Sequence, residues 1–342
     1  MKYHRKLVAC ILTALVVFTF AFSLSAGQYD LSFVQVAAWF CHQLGLPVLE
    51  DVQVSAQQEA VLMFIRSPRT LVGFMVGAGL AASGTILQGL FSNPLADPGI
   101  IGVSSGATVG AVLAITLGVN AVNIFAMPAF AFVGAIVAVL ITIGLATHNG
   151  RIPVLTLLLS GVVVGMLLGA ITAAMLGVMD EYKRHQYLFC TVASLDYRPG
   201  EHVLMGIGPI TLGIGIMLLM ARHLNILALG EAEAKAVGMP VGRYRLILLL
   251  VSAMTTATSV CISGSIGFVG LIIPHMMRML VGPNHKYLLP ASIVAGGVFL
   301  LFCDSLGRVL IEKHEVNVGI MTAFLGTPYF LYLLRKNSNL DK

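Results

Sequence analysis

RSPRTLVGFMVGAGLAASGTILQGLFSNPLADPGIIGVSSG, residues 66–106, decides the fold. Arg66 and Arg69 flank a proline, and from Thr70 to Phe91 no charged residue follows while Gly, Ala and Ser abound. A run of this length matches the ~20 residues an α-helix needs to cross a bilayer. Small side chains let neighbouring helices approach closely within it. Asn93-Pro94-Leu95-Ala96-Asp97-Pro98-Gly99 then interrupts the run. Proline lacks a donor, and Asn and Asp side chains bond their own backbone, so a tight polar turn at the membrane surface is expected. Arginines at one end and a stiff turn at the other describe a helix joining different surroundings on the two sides of a membrane.

The rest of the chain is built alike. Of 342 residues, 58% are hydrophobic and 10% charged, and mean hydropathy is +0.93. Soluble domains carry about 25% charged residues, so the composition excludes them and defines a polytopic membrane protein. Apolar runs between charged or Pro/Gly/Asn breaks predict ten transmembrane helices, near 7–26, 70–91, 98–118, 122–146, 153–178, 203–221, 245–264, 267–281, 288–307 and 318–334. The whole chain, 1–342, reads as one all-α transmembrane domain. With a cytoplasmic N-terminus, 13 of the 20 Lys and Arg fall inside. That bias places both termini in the cytoplasm. The pI near 9.0 reflects the same bias, not nucleic-acid binding.

Met1–Lys6 and the apolar run after it resemble a signal peptide, but Leu7–Ala26 exceeds the usual h-region of about 7–15 residues and reads as an uncleaved span. Phe33–Leu46 carries Trp39 and Phe40 on an apolar face, predicting an amphipathic helix in the interface. Cys10, Cys41, Cys190, Cys261 and Cys303 lack metal-ligand spacing. No metal site or cofactor is expected, and Cys41 and Cys190 read as free thiols or as a pair on the outside. Gly102, Ser104, Ser105, Gly106 and Gly110, and Ser160, Gly161, Gly165, Gly169 and Gly177, read as helix contacts or as walls of a wide path.

Arg222–Arg245 is too polar to span. Leu224, Leu227, Leu229, Ala232, Ala236 and Val237 form apolar faces on two short helices punctuated by Gly230, Gly238 and Pro240. So much apolar surface on an inner loop predicts docking of a cytoplasmic partner. Gly264–Gly270 reads as a glycine-punctuated re-entry, and Asp304 and Arg308, one turn apart, are expected to pair.

The absences are informative. No phosphate-binding loop occurs, so the chain has no ATP site of its own and is not expected to be an enzyme. No Asp, Glu, Lys or Arg lies well inside a predicted span, and His275, the one candidate ionisable group near the membrane, reads as a packed or capping histidine, which disfavours the alternative of an ion-coupled secondary transporter or channel.

R-x-P-R-T at 66–70, Q-x-L-F-x-N-P-L-A-D-P-x-x-x-G-V-S-S-G at 88–106, L-x-L-G-E-x-x-A-x-x-x-G at 227–238 and S-G-x-I-G-F-V-G-L-I-I-P-H-x-x-R at 263–278 together resemble the permease subunits of type II ABC importers. The resemblance covers essentially the whole chain. It implies a homodimer, two cytoplasmic ABC ATPase subunits, and a periplasmic or lipid-anchored binding protein delivering an iron chelate, with haem and cobalamin as neighbours. It assigns binding-protein docking to Arg66, Arg69 and Arg308. ATPase coupling falls to Leu229, Gly230, Glu231, Ala234 and Gly238, and the cytoplasmic gate to the turn at His148, Asn149 and Pro153. The chain departs from the pattern at Leu188–Ser194, Ser265 and Asn317, all near the outer mouth, which bears on the cargo more than on the mechanism.

Overall fold

The computed structural model describes residues 2–49, 51–148, 152–191, 193–196 and 200–338. Its helices run in the order α1 (Lys2–Ser25), α2 (Phe33–Gln43), α3 (Ala56–Ala60), α4 (Ser67–Phe91), α5 (Val103–Thr116), α6 (Ala126–Ala146), α7 (Val154–Val178), α8 (Glu181–Thr191), α9 (Gly200–Leu219), α10 (Ala221–Leu227), α11 (Glu231–Ala236), α12 (Val241–Ser263), α13 (Val269–Val281), α14 (His285–Val309) and α15 (Val318–Ser338). A π-helical turn, Val61–Arg66, joins α3 to α4. Among the described residues seven helices are long and apolar enough to cross a membrane, α4 together with the turn and α3 before it counting as one. Three shorter apolar helices, α5, α13 and the start of α15, stand where the remaining expected spans lie.

Burial sorts the helices into layers. The apolar window containing α4 is 83% buried, those of α12 and α14 are 67% and 72%, and those of α1 and α7 only 11% and 17%. α4 is therefore the axis of the bundle, and α1 and α7 lie at its periphery with most of their side chains exposed. The reason lies in two glycines. A β-carbon at Gly77 would overlap the carbonyl oxygen of Gly296 on α14, and one at Gly84 would overlap that of Gly270 on α13. The crossings bring backbone against backbone, which only a residue without a side chain permits.

Not every small residue plays that part. Gly106 and Gly110 of α5 meet the α6 backbone at Gly134 and Phe130, and Gly161 meets Ile100. Gly169 and Gly177 on α7 have nothing within 4 Å. The packing reading holds for the first three and not for the last two.

The turn after α4 follows its residue types. Ser92 adopts a left-handed conformation, the Asn93 side chain accepts from the Leu95 N–H at 2.9 Å, and Asp97 accepts from the Gly99 N–H at 2.7 Å. A 3₁₀ turn, Pro98–Ile101, then precedes left-handed Gly102. The third span thus starts at Val103 instead of residue 98, because the left-handed Gly102 ends the 3₁₀ turn and α5 begins only after it. α2 is the expected amphipathic helix, opened by a reciprocal Ser32–Gln35 cap. Its Val36 packs with Leu31, Leu62 and Trp39 while Phe40 stays exposed.

α13 contains Pro274, which cannot donate to the Gly270 carbonyl. Gln88 of α4 donates instead, its Nε2 lying 3.4 Å from the Gly270 oxygen and 2.9 Å from that of Leu271. Arg278 in turn donates to the Gln88 Oε1 at 3.4 Å.

Enlarging the axis should break it. Gly84→Leu is expected to lower the thermal stability of the detergent-purified protein by about 1–3 kcal/mol or more, the cost of overpacking. Gly169→Leu, facing open space, should leave the melting temperature unchanged.

Candidate functional site

At the end of the bundle where α4 begins, Arg66, Arg69 and Arg308 come together around the C-terminus of α1. Arg66 donates to the carbonyls of Leu24 and Ser25, each at 2.7 Å, and to that of Tyr29. Arg308 donates to the carbonyls of Ser23 and Ala26, each at 2.9 Å, and to the Ser23 hydroxyl at 2.8 Å. Helix C-termini leave their last carbonyls without intrahelical donors, and cations there also complement the helix dipole. Two arginines borrowed from elsewhere in the chain cap α1.

Arg69 makes the ionic core. Its guanidinium lies 2.9 Å from Asp304, 2.5 Å from Asp196 and 2.7 Å from Glu315. Arg308 Nε lies 3.2 Å from the second oxygen of Asp304, so the expected pair along α14 forms. Asp304 is 1% exposed and sits inside a span. It belongs with the arginines as a neutralised cluster, the arrangement that makes a buried carboxylate tolerable. Sequence reading found Asp304 and Arg308 through their spacing. It missed Asp196 and Glu315, which lie on separate loops with no local signal of a common destination. The three arginines are 4%, 9% and 2% exposed, so each is already engaged.

The segment holding Asp196 also ties neighbouring helices. The Ser194 N–H donates to Ser263 at the end of α12, and the Gly319 N–H at the start of α15 donates to Ala193, both at 3.1 Å. Beside it opens a cavity of about 660 Å³ lined by Ala193, Ser265, Gly319, Phe324, Thr327 and Pro328. A second cavity, about 250 Å³, shares Ser265 and reaches Thr108, Tyr187 and Cys261. Both are lined mainly by small or apolar groups. Ser265, where the chain departs from the type II pattern, stands at their junction. The Cys190 side chain lies outside the described residues, as does any pairing with Cys41.

At the opposite end, α10 and α11 are the two expected short helices. Gly230 between them (φ +126°) and Gly238 after α11 (φ +78°) both adopt conformations that favour glycine. Ala234 turns inward and is fully buried in the apolar core that also holds Ile152, Leu157 and Val241, whereas Leu229 and Val237 are 71% and 68% exposed. Glu231 opens α11 and holds Lys235 at 2.7 Å, one turn on. Of the expected gate, His148 is exposed just beyond α6 and Pro153 caps the start of α7, while Asn149 lies outside the described residues. Arg245, used in sequence only as a charge, bridges the two regions. It donates to the Ile152 carbonyl at 3.0 Å and lies 3.4 Å from Glu231.

A bundle of membrane-length helices carrying apolar cavities, a charged knot at one end and a folded polar loop at the other defines a polytopic permease. The chain belongs to the FecCD transport family, whose profile matches residues 15–336, and is a permease subunit of the type II ABC importer kind. It is 44% identical over 293 residues to a cobalamin import system permease protein of Halobacterium salinarum, covering 86% of this chain and 76% of that one. It is 38% identical over 275 residues to a hemin transport system permease protein of Yersinia pestis, covering 79% and 81%. A solved ABC transporter described as of metal-chelate type, in an inward-facing conformation, superposes with a TM-score of 0.84 at 34% identity over 97% of this chain and 99% of that one.

The knot has a pH signature. Burial, with the hydrogen bond to Asp196, raises the Glu315 carboxyl above its ordinary 4.5, against the pull of Arg69. Between the two values the folded chain holds a proton that the unfolded chain has lost, so stability falls as pH rises through that window. Glu315→Gln should flatten this slope, as read from melting temperatures between about pH 4 and 7.

Proposed function

We propose that this chain forms, as a homodimer, the membrane path of an importer that carries a metal chelate across the inner membrane. A ferric chelate is the first candidate, with cobalamin and haem beside it. Energy comes from two separate ATPase subunits seated on the cytoplasmic loop 222–245, and both termini lie on that side. The exposed Leu229 and Val237, which flank α11 on either side while Ala234 anchors it, carry this reading. An apolar pair projecting from a polar loop needs a protein surface to cover it. Leu229, Gly230, Glu231, Ala234 and Gly238 shape that seat, and the turn through His148, Asn149 and Pro153 closes the path above it. Small and apolar cavity walls suit a bulky cargo held loosely. An ion-coupled carrier is the rival, and Asp304, the one buried carboxylate among the described residues, is already bound by Arg69 and Arg308.

Docking of the substrate-binding protein belongs at the opposite face, through Arg66, Arg69 and Arg308. Because Asp196 and Glu315 already occupy the Arg69 guanidinium, a partner's carboxylates would have to take their place. Ion-pair exchange of this kind orients a partner while adding little net affinity.

Reconstitution in proteoliposomes tests the function. With its ATPase and ATP inside, the protein should accumulate labelled ferric chelate, cobalamin or haem delivered by the binding protein. Accumulation driven by a proton or sodium gradient with no nucleotide present would overturn the assignment. The docking exchange has its own measurement: Asp196→Asn with Glu315→Gln should tighten binding-protein affinity by calorimetry about tenfold, and unchanged affinity would refute the exchange.

A further inference from the structure

We propose that Arg245 is the positioning residue that carries movement of α11 to the start of α7. The inference rests on the reading that α10 and α11 seat the ATPase, and adds the route by which that seat reaches the spans.

The first turns of α12 grip both short helices. Tyr244 stacks on His223 of α10, with ring centroids 4.4 Å apart and planes inclined by 16°. The next residue, Arg245, pairs with Glu231 at the N-terminus of α11. Its side chain is 13% exposed, so the guanidinium works in a shielded setting where charge-assisted bonds strengthen. The same nitrogen, Nη1, donates to the Ile152 carbonyl.

That carbonyl is a well-placed handle. Pro153 follows it and holds Ile152 out of helical geometry. Pro153 itself is the cap of α7, its own carbonyl accepting the Leu157 N–H at 3.0 Å. The Ile152 oxygen therefore stands one residue outside the helix. A pull on it moves the cap and, through the cap, the whole first turn of α7. Around this bond Ile152, Ala234, Val241 and Leu157 share one apolar cluster. The cluster keeps the parts adjacent, but apolar contacts slide. A directional hydrogen bond between α12 and the segment before α7 resists sliding, and Glu231 keys that bond to α11.

The test uses the full complex with its ATPases in nanodiscs. Spin labels at Ala236, the last residue of α11, and at Leu155, in the first turn of α7, are both on exposed positions. In the native chain, active in uptake, the separation between the labels should stay constant when ATP binds, because the two elements move together. In Arg245→Ala the separation should change on ATP binding, and chelate imported per ATP hydrolysed should fall about tenfold, the cost of one charge-assisted hydrogen bond. ATPase co-purification should persist. Arg245→Lys, which keeps the cation but loses the fork, should fall between, and Arg245→Gln serves if the alanine variant does not fold. A native ratio of import to hydrolysis in either Arg245→Ala or Arg245→Gln would overturn the relay. So would loss of the ATPases from those variants, which would make the arginine part of the seat. Failure of the native chain to retain ATPases would refute the seat itself, a separate result.

Discussion

Backbone contact at two crossings sets the architecture. At Gly77 and Gly84 the axis helix α4 lies directly against Gly296 of α14 and Gly270 of α13. In lipid, apolar side chains gain little by meeting one another, so close van der Waals approach and satisfied polar groups must hold the helices. Once α4 is enclosed, every group along it is committed to protein neighbours. Gln88 illustrates this: it replaces the bond that Pro274 denies to α13 and in turn receives Arg278. The irregular α13 is tolerated at membrane depth because a neighbouring side chain repairs its ladder.

The charged knot obeys the same rule at the end of α4. A buried carboxylate without a partner would be expelled or neutralised. Asp304 persists because Arg69 and Arg308 flank it, while Arg66 and Arg308 spend their remaining donors on the open carbonyls of α1. The knot thereby fastens α1, α4, α14 and two loops at one place. The loop holding Asp196 borders the larger cavity through Ala193. The arginines belong to a closed set of partners, which differs from a row of free cations.

The two ends of the molecule are joined through rigid elements that each end grips. Relatives of similar architecture are described for cobalamin and for hemin, so the scaffold does not choose the cargo. A few small and apolar side chains line the cavities, Ser265 and Ala193 among them. They occupy a region where this chain departs from the type II pattern.

Some of this was legible in the residues alone. Hydropathy and the absence of charge decide that a segment enters lipid whatever surrounds it, so all ten expected spans have a helix at their place and the turn at Asn93–Gly99 took its anticipated character. The type II motifs carried the family. The Asp304–Arg308 pair followed because helix geometry places i and i+4 together. The partners of Arg69 had no such rule: Asp196 and Glu315 lie far along the chain, and only the packing of α4 against α14 and the loops brings them within reach. The same holds for Arg245, whose carbonyl acceptor belongs to Ile152, and for Gln88, needed only where α4 crosses a proline-broken helix. Local chemistry determined which segments are helices, and packing determined which of them are enclosed. Long-range packing decided which charges meet, because an ion pair depends on a distance of a few ångströms that no spacing along the chain encodes.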